Sequence, residues 1–291
     1  MKACLCEGIN RSSRIGETYD IGPACFEITS SEAGFPFVKG RGLNPFFALA
    51  EIAWFYLGSN KLSPLQHFIK EYDKYSDDGE TLYGAYGYRV NYKFGFNQID
   101  NVINELKCNP ESRRAVINLY SPEDLKRLDS KDIPCNISIL FKIRNNRLDI
   151  TILNRSNDVF KGIPYNFFLF RFFQYIVAKK LNKEMGVHRH ITDSLHLYLS
   201  DVEKAERALK NNNSRGADNI FLELNIFDDL IKSSNKINLL DWKNIPSERL
   251  KRFFLSYNAY KGVKGHPFFL RVDDDAKLLA YAEDWSNAHH S

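Results

Sequence analysis

Hydrophobic residues along the chain fall into segments with distinct periods. From Pro45 to Leu57 the run PFFALAEIAWFYL is apolar on more than one face and opens with a proline suited to a first helical turn, which predicts a buried helix. In FNQIDNVINELK, Ile99, Val102, Ile103 and Leu106 recur at helical spacing. RRAVINLY reads as a strand. ISILFKI and RLDITIL then alternate apolar and polar on either side of RNN, the pattern of a β-hairpin. NFFLFRFFQYIVAKKLNK predicts a core helix whose lysines collect at its end, where cations suit the helix dipole. The last 50 residues, with FFLSYNAYKGVKGHPFFLRV, read as loop and strand. Strands and helices mixed in this order give an α+β fold class, with a largely antiparallel or mixed β-sheet packed by helices.

The bulk properties narrow the function. At 291 residues and 44% hydrophobic, the chain can bury a sizeable core. With no repeat and no low-complexity linker, residues 1–291 are expected to form a single domain. Net charge is only +4 and no block of five or six like charges occurs, so no DNA partner is expected; a phosphorylated small molecule suits the mild basic excess. No apolar run reaches the ~18 residues of a membrane span, and MKACLCEGINRSSR lacks a signal-peptide core, so no membrane association and a cytoplasmic location are expected. Five cysteines, at 4, 6, 25, 108 and 135, have neither disulfide-framework nor zinc spacing. The HRH at 188–190 reads as a solvated turn, and no metal is expected.

Chemistry concentrates around DIPCNISILF, where Cys135 follows a proline at the mouth of the first hairpin strand. A lone cysteine is most often a small core residue. It serves as a nucleophile only where its thiolate is stabilised, usually by a nearby cation. Arg155 begins the segment NRSNDVFKGIPYN after the second hairpin strand and so falls beside Cys135. Ser156, Asp158 and Asn166 add a hydroxyl, a carboxylate and an amide, and an asparagine can pair with the N3–H and O4 of a uracil ring. Glu51 sits alone in an otherwise apolar helix, where an acid needs a partner or a raised pKa. Arg113 and Arg114 stand side by side; on a strand they point to opposite faces, so two of them on one phosphate need an irregular turn or a second subunit.

Taken together, Pro134-Cys135, then RSNDVFKGIPYN from Arg155 to Asn166, then HLY from His196 to Tyr198 resemble the thymidylate synthase family, over about residues 14–206. The resemblance implies that fold, with a sheet-mediated homodimer. It implies transfer of a one-carbon unit from 5,10-methylenetetrahydrofolate to C5 of a pyrimidine nucleoside monophosphate, dUMP or UMP, through a covalent adduct between Cys135 and C6. By the same resemblance Arg155 and Ser156, with Arg113 and Arg114 from a partner subunit, hold the phosphate. Arg14 falls at the phosphate arginine of the family's N-terminal loop, although the rest of that loop is poorly kept. Asp158 and Asn166 fall where the family reads the base, Asp158 also towards the folate. His196 and Tyr198 fall at the sugar hydroxyl, Glu51 at the proton-managing glutamate and Tyr86 near the C5 proton.

Departures from the family pattern bear on the product. Asn136 stands where synthases usually carry histidine, Asp132 where the folate usually meets an apolar side chain, and Tyr72, with Tyr75 three residues on, where the family has tryptophan. YNAYKGVKG from Tyr257 only faintly resembles the family's closing segment, and more than twenty residues follow it. A polar Asp132, a smaller aromatic and an altered lid favour water over hydride, and hence a 5-hydroxymethyl product over a methyl one. A methylating synthase and a non-catalytic nucleotide- or RNA-binding homologue are the alternatives. Asn166, where cytosine-using relatives tend to carry aspartate, favours a uracil base.

Overall fold

The alternating segments on either side of Asn145 and Asn146 pair as an antiparallel hairpin, running from Lys142 opposite Asp149 to Arg144 opposite Arg147 at the turn. Both turn asparagines have positive φ, 49° and 60°, which is what a tight two-residue connection between right-twisted strands needs. The computed structural model describes residues 1–29, 34–36, 38–212, 222–262 and 272–290. Among these the strands are β1 (Ile9–Ser13), β2 (Gly16–Asp20), β3 (Ala24–Ile28), β4 (Val116–Asn118), β5 (Asn136–Arg144), β6 (Arg147–Asn154), β7 (Asn157–Asp158), β8 (Glu184–Thr192) and β9 (Leu195–Tyr198). The helices are α1 (Lys2–Glu7), α2 (Pro45–Tyr56), α3 (Ser63–Gln66), α4 (Tyr86–Tyr88), α5 (Gln98–Cys108), α6 (Gly162–Lys180), α7 (Val202–Asn212), α8 (Asn225–Asn238), α9 (Glu248–Gly262) and α10 (Val272–His290).

The strands form two sheets. The larger has the order β3-β8-β6-β5-β4 and is antiparallel except for the β6–β8 pair, which is parallel. That pair is joined through α6, because parallel neighbours need a long crossover. The smaller sheet runs β1-β2-β9-β7 and covers its own cluster of Cys4, Val159, Phe160, Leu195 and Leu197. The fold is α+β, as the pattern predicts.

Helix α2 is buried along most of its length. Pro45 opens it and Asn44 caps it, the side-chain oxygen accepting from Phe47 N–H at 3.0 Å. It touches α3, α4, α6, α8, α9 and α10, and its single acid, half-buried, faces a cavity among them. Helix α6 also runs as expected, with Lys179 and Lys180 in its last turn.

Three sequence expectations are corrected. HRH is no solvated turn: His188 and His190 lie in β8 with 0% exposure, side chains inward, while Arg189 between them reaches Glu27 and Asp149. The strand read from RRAVINLY is only Val116–Asn118, so Arg113 and Arg114 precede it and the two-faces argument does not apply to them. The C-terminal stretch is helix where it is described, Glu248–Gly262 and Val272–His290; the expected strand around residues 263–271 lies outside the described residues. Phe253, Tyr257 and Tyr260 are buried together at helical spacing on α9, and that packing outweighs their preference for strands.

The segment leading from α4 is pinned by a buried ion pair. Arg89 and Asp124 meet at 2.5 Å with both side chains fully buried; Arg89 also donates to Leu119 O at 2.9 Å, and Tyr83 donates to Asp124 at 2.7 Å. Arg89→Met leaves Asp124 a buried, unpaired charge and is expected to lower unfolding free energy by about 3–5 kcal/mol in urea titration. A loss under about 1 kcal/mol would show that water reaches this pair.

Candidate active site

Cys135 and Arg155 are brought together as the hairpin predicts. Arg155 N–H donates to Cys135 O at 2.9 Å, and its guanidinium donates to Pro134 O and Ile133 O, each at 3.0 Å. The strand register is irregular between Asn136 and Ser138, one residue beyond the cysteine, and Ile137 O takes N–H groups from both Leu119 and Tyr120. Irregularities of this kind often re-aim a side chain beside a site. Both residues line a cavity of about 2070 Å³.

The remaining candidates on this chain, apart from Arg113 and Arg114, line the same cavity. Glu51 enters from α2. No hydrogen bond or ion pair to its carboxyl is found among the described residues, and burial pushes its pKa up to about 8. Tyr86, at the start of α4, has its phenol pushed up by burial and, next, by the Cys135 thiol. Tyr72 sits between Phe47 and Tyr75, ring centroids 5.5 and 5.4 Å away, and burial raises its phenol well above the ordinary value. Asp132 accepts from Gly84 N–H at 2.7 Å and rises to about 6, chiefly by burial. A Cβ at residue 84 would come within 2.7 Å of that carboxyl, so only glycine fits there.

On the opposite side, Asp158 accepts from Phe160 N–H at 2.7 Å and Lys161 N–H at 3.1 Å just ahead of α6. Burial still raises its pKa, against the pull of those bonds and of His196. His196 is paired in register with Asp158 across β7 and β9, and its Nδ1 lies 3.4 Å from Ser156 Oγ. Tyr198 packs edge-on to His196 at 5.1 Å and is pushed up to about 12 by burial, with a Ser13 hydrogen bond opposing. Asn166 donates through Nδ2 to Asn157 Oδ1 at 3.3 Å. Arg14, in the β1–β2 turn, donates to Lys131 O at 2.6 Å.

Cations do stand near the thiol, but they do not prevail. Burial raises Cys135 and Asp132 raises it further, while Arg155 and Arg14 pull it down; the net direction is up. Arg113 and Arg114 are exposed and lie outside the cavity, Arg114 pairing with Glu105 at 3.1 Å.

Two contributors carried no signal as motifs. Arg41, between glycines with φ of 80° and 67°, donates to Phe160 O at 3.0 Å through Nε and also to Val159 O; burial lowers its pKa to about 10. Helix α10 supplies Asp284, which accepts from Gly40 N–H at 2.6 Å and Gly42 N–H at 3.1 Å, and Trp285, which faces the cavity. No group of three or more metal-binding side chains occurs among the described residues, and no described helix is long and apolar enough to cross a membrane.

The fold is that of thymidylate synthases: thermostable thymidylate synthase A from Bacillus subtilis superposes with a TM-score of 0.61 at 22% identity, over 72% of this chain and 81% of that one. The thymidylate synthase family model matches residues 1–247, and the chain belongs to that family. Among curated relatives, the deoxyuridylate hydroxymethyltransferase of Bacillus phage SP01 is 36% identical over 203 residues, 66% of this chain and 52% of that protein. The deoxyuridylate hydroxymethyltransferase of Pseudomonas phage M6 is 35% identical over 202 residues, 68% of this chain and 57% of that protein. The chain thus spans little more than half the length of the curated relatives it matches.

The Glu51 carboxyl has a measurable consequence. Its folded pKa, about 8, lies above the ordinary 4.5, so it contributes no penalty below pH 4.5. Between these values the unfolded chain ionises first, and the folded state loses relative stability until about pH 8. Glu51→Gln is therefore expected to match the parent at pH 4 and to exceed it by up to about 5 kcal/mol above pH 8. Thermal denaturation across pH 4–9 reads this, and a constant difference would place the carboxyl in solvent.

Proposed function

We propose that this protein transfers a one-carbon unit to C5 of a uracil-type nucleotide, dUMP, and releases the 5-hydroxymethyl product. The observation that carries the reading is Cys135, Arg155, Asn166 and Glu51 on one cavity wall system, in a chain whose relatives are named deoxyuridylate hydroxymethyltransferases. A silent nucleotide binder would have no use for a nucleophile and a half-buried, unpartnered acid in the same cavity.

Cys135 adds to C6 as thiolate and turns C5 into an enolate carbon, which plain uracil lacks. Its raised pKa means that the thiol passes its proton to solvent in the cavity as the S–C6 bond forms, and Arg155 and Arg14 favour the anion. Arg155, Arg14 and Ser156 hold the phosphate, and His196 and Tyr198 the sugar. Exposed Arg113 and Arg114, outside their own cavity, support donation to a partner's phosphate in a homodimer. Asn166 reads N3–H and O4. Glu51, protonated near neutral pH, gives a proton to O4 as the enolate forms, and Tyr86 stands by the C5 proton.

The cavity fits a second, flat ligand beside the nucleotide. Its volume exceeds the ~300–1,000 Å³ of single-ligand sites, and Phe47, Tyr72 and Tyr75 line one wall. Methylenetetrahydrofolate bound there supplies the one-carbon unit. Tyr72, Asp132 and Asp158 would hold it. Asp132, with a pKa of about 6, is ionised at pH 7 and orients the water that completes the hydroxymethyl group.

Two measurements test this. Incubation with C5-tritiated dUMP and methylenetetrahydrofolate is expected to release tritium and yield a product one hydroxymethyl heavier by mass spectrometry, and Cys135→Ala is expected to abolish both while nucleotide still binds. A methyl product would replace the reading with that of a synthase, and retained turnover would remove the covalent step. Asp132→Leu is expected to cut hydroxymethyl formation by ~10²-fold, the usual weight of a general base, with nucleotide affinity held within a few fold.

A further inference from the structure

Two asparagines converge on one imidazole behind the base-reading amide. His190 Nε2 lies 2.9 Å from Asn157 Nδ2 and 2.5 Å from Asn154 Nδ2, in a pocket with no exposed surface on the histidine. Asn154 Nδ2 also faces Ile191 O at 3.3 Å. Asn157 Oδ1 in turn accepts from Asn166 Nδ2 at 3.3 Å. Asn154 precedes Arg155 and is paired with Asn136 across β5, so the cluster sits directly beneath the cavity floor.

The tautomer of His190 determines the direction of every bond in this chain. Amide nitrogens only donate, so two of them at Nε2 make it the acceptor and put the ring proton on Nδ1. Burial lowers the pKa of the ring to about 3, which keeps it neutral, with one nitrogen bare; the two amides at Nε2 make that the bare one. Asn157 must then turn Nδ2 towards His190 and Oδ1 towards Asn166, and Asn166 must give one N–H inward. A Cβ at residue 162 would come within 2.7 Å of Asn157 Oδ1, so glycine at the start of α6 lets that carbonyl take its place.

We propose, on the functional reading above, that His190 is a positioning residue that fixes through Asn157 which end of the Asn166 amide meets the pyrimidine, and so selects uracil over cytosine nucleotides. A uracil edge offers N3–H and O4, which match Asn166 Oδ1 and its second N–H. Cytosine offers a bare N3 and an amine, and matches only the reversed amide. Reversing Asn166 breaks its bond to Asn157 or requires the whole chain to turn over.

The test compares the parent protein with His190→Gln, His190→Phe and Asn157→Leu. The readout is the ratio of kcat/KM for dUMP to that for dCMP, with methylenetetrahydrofolate present and folding checked by near-UV circular dichroism. Glutamine restores an acceptor near Nε2 and is expected to hold the ratio within about threefold, whereas the phenylalanine and leucine variants lose it by about 10–100-fold, the worth of one or two buried hydrogen bonds. Asn157→Leu carries the test if His190→Phe does not fold. A folded variant of either kind with the parent's ratio overturns the relay, as does a parent that prefers dCMP. Long-range proton–nitrogen NMR spectra of the imidazoles read the tautomer without turnover: Nδ1–H with bare Nε2 is expected, and Nε2–H overturns the relay. A parent that turns over neither nucleotide sinks the functional reading instead, and the tautomer still decides the relay.

Discussion

The site depends on the clamp that Arg155 makes across the three residues ending at Cys135. Its backbone N–H extends the β5–β6 ladder by one bond, and its side chain satisfies the carbonyls of Ile133 and Pro134, which the proline-containing approach to β5 leaves outside the ladder. Carbonyls left unpaired near a buried surface are costly, so this segment has one satisfied geometry. That geometry fixes the thiol relative to the guanidinium. The same arginine thus builds the backbone on which the Cys135 thiol stands and brings a cation to it.

Around that clamp, burial governs the protonation of the acids. Cys135, Glu51, Asp132 and Asp158 are all raised with burial as the largest cause, and the nearby cations offset it only in part. Glu51, raised to about 8, keeps its proton at neutral pH, whereas Asp132, raised to about 6, has released its own. One cavity thus holds an acid able to give a proton and a carboxylate able to take one.

Much of this was legible in the sequence. Hairpin register follows from strict alternation around two asparagines and brings Arg155 to within one residue of Cys135; the irregularity between Asn136 and Ser138, which no alternation announces, sets them opposite each other. Glu51 stood out because an acid in PFFALAEIAWFYL has no polar face of its own helix to share. What stayed hidden lacks a period or a motif. In MGVHRHIT polar residues fall on both faces, so β8 shows no alternation, and two inward histidines read like a turn. Residues 253, 257 and 260 do repeat at helical spacing, but aromatic composition pointed towards strand. Arg41 is one arginine between glycines; only tertiary contacts with Val159 and Phe160 give it a place.

The bond from Asp284 to Gly40 and Gly42 joins positions more than two hundred residues apart. During synthesis the glycine loop leaves the ribosome long before its acceptor exists, so the cavity gains this wall only once residue 284 has emerged. Contacts of such long sequence separation form late and slowly. Until then the side of the cavity that Trp285 covers stands open to water.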